Sequence, residues 1–262
     1  MIFLILLVSI AAGRLMAEQW EEEKSTHFII YYPPGTSLEW ISRVKREAEN
    51  NYSSISDLIG HTRYKNYWTW DDRVEIYIFP DKESFIQATG QPDWSYGVAT
   101  THGRDISSRT IKSYFQSERL FEDVLPHEIS HFILRDFLGG GMGHVPLWFD
   151  EGIAQLNESN KKFIAHQVMK QLIKKGQYLP LGGLMHYNVR SETDAQKVSA
   201  YYAQSVSIVD FLISKYGSDR FKKLCSQLKS GKDFANALQG AYTEIFDSVD
   251  ELENKWVQYL IN

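Results

Sequence analysis

Residues 127–131 read His127-Glu128-Ile129-Ser130-His131, inside the apolar stretch that runs from Val124 to Leu134. Residues four apart on a helix lie one above the other on the same face, so His127 and His131 present their imidazoles side by side. Their ring nitrogens can take adjacent corners of a tetrahedral zinc ion. Glu128 projects close to the same point without ligating, where a base must stand to take a proton from an activated water. The neighbours Val124, Leu125, Ile129, Phe132, Ile133 and Leu134 make the helix apolar nearly all round, so it reads as buried and not as a surface helix with two histidines. Polar groups buried there need partners, and a divalent metal supplies one. Asp123 is the expected N-cap, which puts Pro126 in the first turn, where proline is tolerated.

A third ligand has to come from downstream. An extended motif would need glycine at 134 and histidine at 137; the chain has Leu134 and Phe137, which excludes that class. About twenty residues after His131 stands Trp148-Phe149-Asp150-Glu151-Gly152-Ile153-Ala154, and Pro146 can open a helix there. Glu151 would then face the first helix across the Gly139-Gly140-Gly141 turn. A His, His, Glu set leaves one zinc position open, as in catalytic sites; structural sites are closed by four protein ligands.

Outward from this pair of helices, the chain divides by pattern. His27–Tyr32 is a β-branched and aromatic run ended by Pro33-Pro34-Gly35, and Arg73–Phe79 alternates with period two; both predict strands. Residues 37–59 carry apolar side chains at helical spacing, with Gly60 as the stop. Asp81 caps a short helix to Thr89, and residues 96–101 and 110–115 predict two more strands. From Glu118 the pattern is nearly all helical, with helices predicted at 119–138, 146–157, 160–175, 193–216, 218–229 and 248–260. Gly217-Ser218 marks one helix ending and the next being capped, and Ser248 with Glu251 fits a capping box. The expected fold class is α+β: a small mixed sheet lobe (about 25–117) packed on a mainly helical lobe (about 118–262), with the histidine helix between them. Residues 18–262 read as one domain.

The composition, 43% hydrophobic and 23% charged, is that of a folded protein with a sizeable core. A net charge of −5 without a basic run argues against nucleic-acid binding. Cys225 is the sole cysteine, which excludes an intrachain disulfide and a cysteine zinc cluster. Residues 1–17 hold the apolar run Ile2–Ile10 followed by Ala11-Ala12-Gly13, the pattern of a secretory signal peptide, with cleavage after Gly13 or Ala17. The run is shorter than the roughly 20 residues a membrane span needs. The expectation is export to a periplasmic or extracellular location with no stable membrane insertion after cleavage. The alternative is an uncleaved N-terminal tether.

The two motifs together resemble the gluzincin, thermolysin-like zinc metallopeptidases, and most of all the compact proteins with a peptidase MA-like domain. The resemblance covers roughly Val124 to Leu260. It takes in Val145-Pro146-Leu147-Trp148 and the segment Tyr202-Ala203-Gln204-Ser205, which opens a long helix ending in Lys215-Tyr216-Gly217. It implies a zincin-like fold and one zinc per chain on His127, His131 and Glu151. It implies Glu128 as general base for hydrolysis of peptide bonds, with peptide or protein substrates. It favours Tyr202 as the donor that holds the oxyanion, a task that needs a phenol or imidazole. Tyr202 also falls on the apolar stripe Val206, Val209, Ile213 and Tyr216, and Tyr201 and His186 stay open as alternatives. His102 and His144 read as surface or loop histidines.

Three departures qualify the resemblance. Asp150 stands where the family often has asparagine. Gln155 stands where these enzymes often have an aspartate that orients a ligand histidine, which leaves the support of the ligands open. The aminopeptidase pattern G-x-M-E-N is absent, which favours an endopeptidase. The rival expectation is a zinc-stabilised pseudo-peptidase acting as a binding or envelope scaffold. In either case an extended peptide would pair with an edge strand, for which Thr110–Phe115 is the sequence-based choice.

Overall fold

The computed structural model describes residues 20–61, 72–102 and 108–262. Residues 1–17, expected from sequence to be a signal peptide, lie outside them. Among the described residues no helix is long and apolar enough to cross a membrane.

Five strands form one mixed sheet: β1 (Glu21–Lys24), β2 (Phe28–Tyr32), β3 (Val74–Phe79), β4 (Gly97–His102) and β5 (Ser108–Tyr114), in the spatial order β1-β2-β3-β5-β4. Strands β2, β3 and β5 run parallel, and the outer pairs β1–β2 and β4–β5 are antiparallel. The parallel step from β2 to β3 needs a crossover, supplied by α1 (Leu38–Ile59). Period-two alternation turns Phe28, Ile30, Val74, Ile76, Ile78 and Ile111 onto one fully buried face. Helix α1 covers that face with Ile41, Val44, Ala48, Ile55 and Ile59. Its N-terminus is capped by Ser37 Oγ and its end is turned by Gly60 at φ +82°, both at the expected ends.

The sheet corrects the expected docking edge. Residues 110–115 fall mostly in β5, which is paired on both sides, with β3 and with β4. Strand β4 is the outer strand next to β5, and its approach to the helical layer explains Gly97. A Cβ there would stand 2.5 Å from Val124 Cγ1, so only glycine lets the strand come this close.

Helix α2 (Lys82–Thr89), capped by Asp81, follows β3, and the helical layer then begins with a π-helical turn, Leu120–Val124, which runs straight into α3 (Leu125–Leu138). This corrects Asp123 as N-cap. Val124 already has helical angles (φ −68°, ψ −53°), so no free first-turn amide faces a cap. Asp123 Oδ2 instead accepts from Arg119 Nη1 at 2.7 Å. A 3₁₀ stretch, Gly139–His144, leads to α4 (Leu147–Leu156), followed by α5 (Lys161–Lys174), the short α6 (Leu181–Leu184) and α7 (Ala195–Tyr216). The chain ends with α8 (Ser218–Lys229), α9 (Phe234–Ala241) and α10 (Val249–Ile261). Ser218 is the first residue of α8 and not its cap; Gly217 holds that position without a side-chain bond. Ser248 does cap α10, accepting from Glu251 N at 3.1 Å.

Strand β1 and helices α6 and α9 are not expected from sequence. Glu21–Lys24 is all charge and carries no alternation, so only its pairing to β2 makes it a strand. Helix α9 is anchored by Phe234, whose ring meets Trp148 and Phe149 of α4 at 5.1 and 5.5 Å. Those two aromatics precede Asp150 and Glu151, so α9 buttresses the helix that carries them.

Candidate metal centre

Helices α3 and α4 pack against each other and bring three side chains to one point. Nε2 of His127 and Nε2 of His131 lie 3.1 Å apart. Glu151 Oε2 stands 3.9 Å from the first and 3.8 Å from the second. These are the sole His/Cys/Asp/Glu donors among the described residues that converge in this way, all within 4.8 Å. Tetrahedral ligands about 2.05 Å from zinc lie roughly 3.3 Å from one another, so the spacing fits a metal of that size.

The far side of each imidazole is held by a carboxylate. His131 Nδ1 lies 2.6 Å from Asp150 Oδ1, and His127 Nδ1 lies 2.7 Å from Glu158 Oε1. Each Nδ1–H therefore donates outward, and each Nε2 lone pair faces inward. Two lone pairs and the Glu151 carboxylate then meet with no donor between them. That donor set fits a cation at their centre and is poorly explained without one.

The electrostatics follow from burial among these carboxylates. Burial alone would lower the His131 pKa, but the charge and hydrogen bond of Asp150 outweigh it and hold it above the ordinary value. Burial raises the Glu151 carboxyl against the pull of both histidines. A cation at the three donors would reverse that penalty.

Glu158 answers the question raised by Gln155. The residue four after Glu151 cannot serve as an anion, and the residue seven after it, two helical turns along, takes its place. The loop that carries Glu158 is pinned, since Ser159 N donates to Glu122 O at 2.8 Å in the π-helical turn before α3. Asn157 Nδ2 donates to Ser130 Oγ at 3.1 Å, a further tie between the end of α4 and the histidine helix. Sequence reasoning missed Glu158 and gave Asp150 no role. The available signal was the placing of two acids about Glu151, Asp150 directly before it and Glu158 seven residues after it.

Gly152 sets how closely α4 meets α7. A Cβ there would stand 2.6 Å from Ser205 O, a backbone atom that cannot swing away. The contact brings Tyr201 and Tyr202 of α7 into the electrostatic surroundings of Glu151, whose charge, after burial, raises both phenols. The two differ in access. Tyr201 is fully buried and its hydroxyl has no hydrogen-bond partner among the described residues, whereas Tyr202 is half-buried and lines an open pocket. Glu128 is half-buried on α3 and contributes to the field at His131. His144 and His186 are exposed and stand outside the donor cluster; for His102 the described structure is backbone in β4.

Residues 66–262 match the Peptidase MA superfamily. The chain belongs to that superfamily. No curated protein matches it. The matched span of this Peptidase MA chain begins ahead of β3 and so includes three strands of the sheet, well upstream of the Val124 boundary inferred from motifs. Membership identifies a metallopeptidase-like domain in an α+β, zincin-like fold, and a peptide or protein as the corresponding class of substrate.

Proposed function

We propose that the protein is a zinc-dependent peptidase, most simply an endopeptidase, in which His127, His131 and Glu151 hold one zinc ion and Glu128 is the general base. The observation that carries this reading is the convergence of three donor atoms within 4.8 Å, with both histidines fixed from behind by Asp150 and Glu158. When bound there, zinc supplies a Lewis acid that polarises a peptide carbonyl and acidifies water. Glu128 takes a proton from the attacking water and later delivers it to the leaving amine. Tyr202 donates its O–H to the carbonyl oxygen as negative charge builds there, a task that its access supports and that the burial of Tyr201 disfavours. Asp150 and Glu158 keep both imidazoles in one tautomer and one orientation throughout.

The test is zinc content together with cleavage of a quenched-peptide library, for wild type and Glu128→Gln. One zinc per chain in both proteins, with cleavage in wild type alone, is the expected result. Zinc in both without cleavage in either would favour a pseudo-peptidase scaffold; no zinc in either would end the metal assignment.

Export is part of the proposal and rests on the apolar run before Gly13 and Ala17. The mass of the chain recovered from an exporting host tests it: loss of 13 or 17 residues is expected, and an intact N-terminus would mean a tethered protein.

A further inference from the structure

Helix α5 differs in charge from the rest of the chain. Residues 160–176 hold five lysines and neither aspartate nor glutamate, in a protein whose net charge is −5. The helical repeat sorts its side chains into two faces. Ala165 and Met169 are buried and anchor α5 against the core. The opposite face carries Phe163 and Ile164 near its start and Lys170, Lys174 and Lys175 further along. Phe163 is 68% exposed and Ile164 52%.

The lysines fall into two groups. Lys161 pairs with Glu158 at 3.1 Å and Lys162 with Asp210 at 2.7 Å, so both are neutralised within the protein. The ammonium groups of Lys170, Lys174 and Lys175 have no ion pair or hydrogen bond among the described residues. The outer face of α5 therefore joins two large apolar side chains left in water to three unpaired cations. An anionic bilayer surface answers both: its acyl boundary takes the apolar groups and its phosphates take the ammonium groups, with the helix lying in the plane of the membrane. An acidic protein surface would answer the lysines alone, so Phe163 and Ile164 are what select lipid. The contact is peripheral, since among the described residues no helix is long and apolar enough to cross a membrane. Ile164 also lines the pocket of about 190 Å³ onto which Tyr202 opens, so this face begins beside the metal centre's candidate oxyanion donor.

We propose that the outer face of α5 docks the protein on a membrane surface that carries anionic phospholipid, with Phe163 and Ile164 entering the acyl boundary and Lys170, Lys174 and Lys175 held by the phosphates. The proposal stands whether or not the metal centre cleaves peptides. Combined with the peptidase reading, it makes proteins at the membrane surface the substrates within reach.

Sedimentation of the full chain with vesicles tests it, using phosphatidylcholine alone and three parts phosphatidylcholine to one part phosphatidylglycerol. Binding to the mixed vesicles is expected to be at least about tenfold tighter, and to weaken as salt rises from about 0.05 M to about 0.5 M. Lys170→Gln, Lys174→Gln and Lys175→Gln combined should weaken binding to the mixed vesicles by roughly a hundredfold, at about fivefold for each lysine. Phe163→Ser with Ile164→Ser should weaken it by about tenfold or more. These side chains lie outside the core, and circular dichroism checks that both variants fold. A contribution from residues 1–17 would be common to every chain and would persist on phosphatidylcholine alone. Equal binding to the two vesicles, binding to neither, a preference that survives the lysine variant or an affinity untouched by the serine variant would each overturn the proposal. Binding to polyglutamate and not to vesicles would overturn it in favour of an acidic protein partner.

Discussion

Glu158 Oε1 lies 2.7 Å from His127 Nδ1, on a loop residue seven positions beyond Glu151 and three beyond Gln155. The oriented tautomer of His127 therefore depends on a carboxylate delivered after α4 has ended. Lys161 closes the other side of that carboxylate at 3.1 Å, so the buried charge is paired in both directions.

Glu158→Gln keeps an acceptor but removes the charge. We expect zinc affinity, measured by competition with a chelator, to fall about 10–100-fold, the usual cost of losing an outer partner of a ligand histidine. Glu158→Ala should fall further. Unchanged affinity in both variants would mean that His127 does not need this support.

The two adjacent tyrosines should separate cleanly. Tyr202→Phe is expected to lower kcat by about 10²–10³ while zinc stays bound, the size of effect seen for one oxyanion donor. Tyr201→Phe removes a buried hydroxyl that has no partner among the described residues, so turnover and stability should hold or improve. The reverse pattern in steady-state kinetics would exchange the two assignments.

Gly152→Ala places a methyl group against Ser205 O at 2.6 Å. Overpacking at a backbone contact costs about 3 kcal/mol, which corresponds to a fall in Tm of roughly 6–12 °C in a chain of this size. Calorimetry checks it, and a Tm within 2 °C of wild type (about 1 kcal/mol or less) would show that α4 and α7 can part at little cost.

Away from the metal centre, Asp210 on α7 joins Lys162 and His166 of α5 at 2.7 and 3.0 Å and accepts from Ser214 Oγ at 2.7 Å. Burial alone would raise its pKa, but His166, Lys162 and Ser214 outweigh it and hold the carboxyl below its ordinary value of 3.8. A depressed folded pKa gives stability that is complete above the unfolded value and is lost as pH falls through the folded one. Asp210→Asn should therefore lose about 1–3 kcal/mol at neutral pH and flatten the acid limb of stability below pH 4. Urea unfolding at pH 7 and at pH 3 measures both; an acid limb as steep as that of wild type would assign it to other carboxylates.

Local information was enough for much of this protein. His127 and His131 share a face because the helical repeat is 3.6 residues, and the apolar neighbours required that face to be buried. The alternation in β2 and β3, the spacing in α1 with its Gly60 stop, and the Ser248 cap acted within a few residues of chain, and each formed as its pattern predicts. The sequence also supplied Glu151, through a motif rather than through geometry. What the tertiary structure decided was every relationship between segments. The central place of β5 in the sheet, and hence the wrong choice of docking edge, depends on pairings that no strand encodes alone. Asp123 had the residue type of a cap, but the continuous turn from Leu120 removed the free amides it would have bound. The contact of Glu158 with His127 depends on the tie between the end of α4 and the turn before α3, and the approach of α4 to α7 depends on the space Gly152 leaves. Periodicity and capping act over one turn of helix or one strand, whereas the partner of His127 and the shape of the pocket are set by packing between segments far apart in the chain.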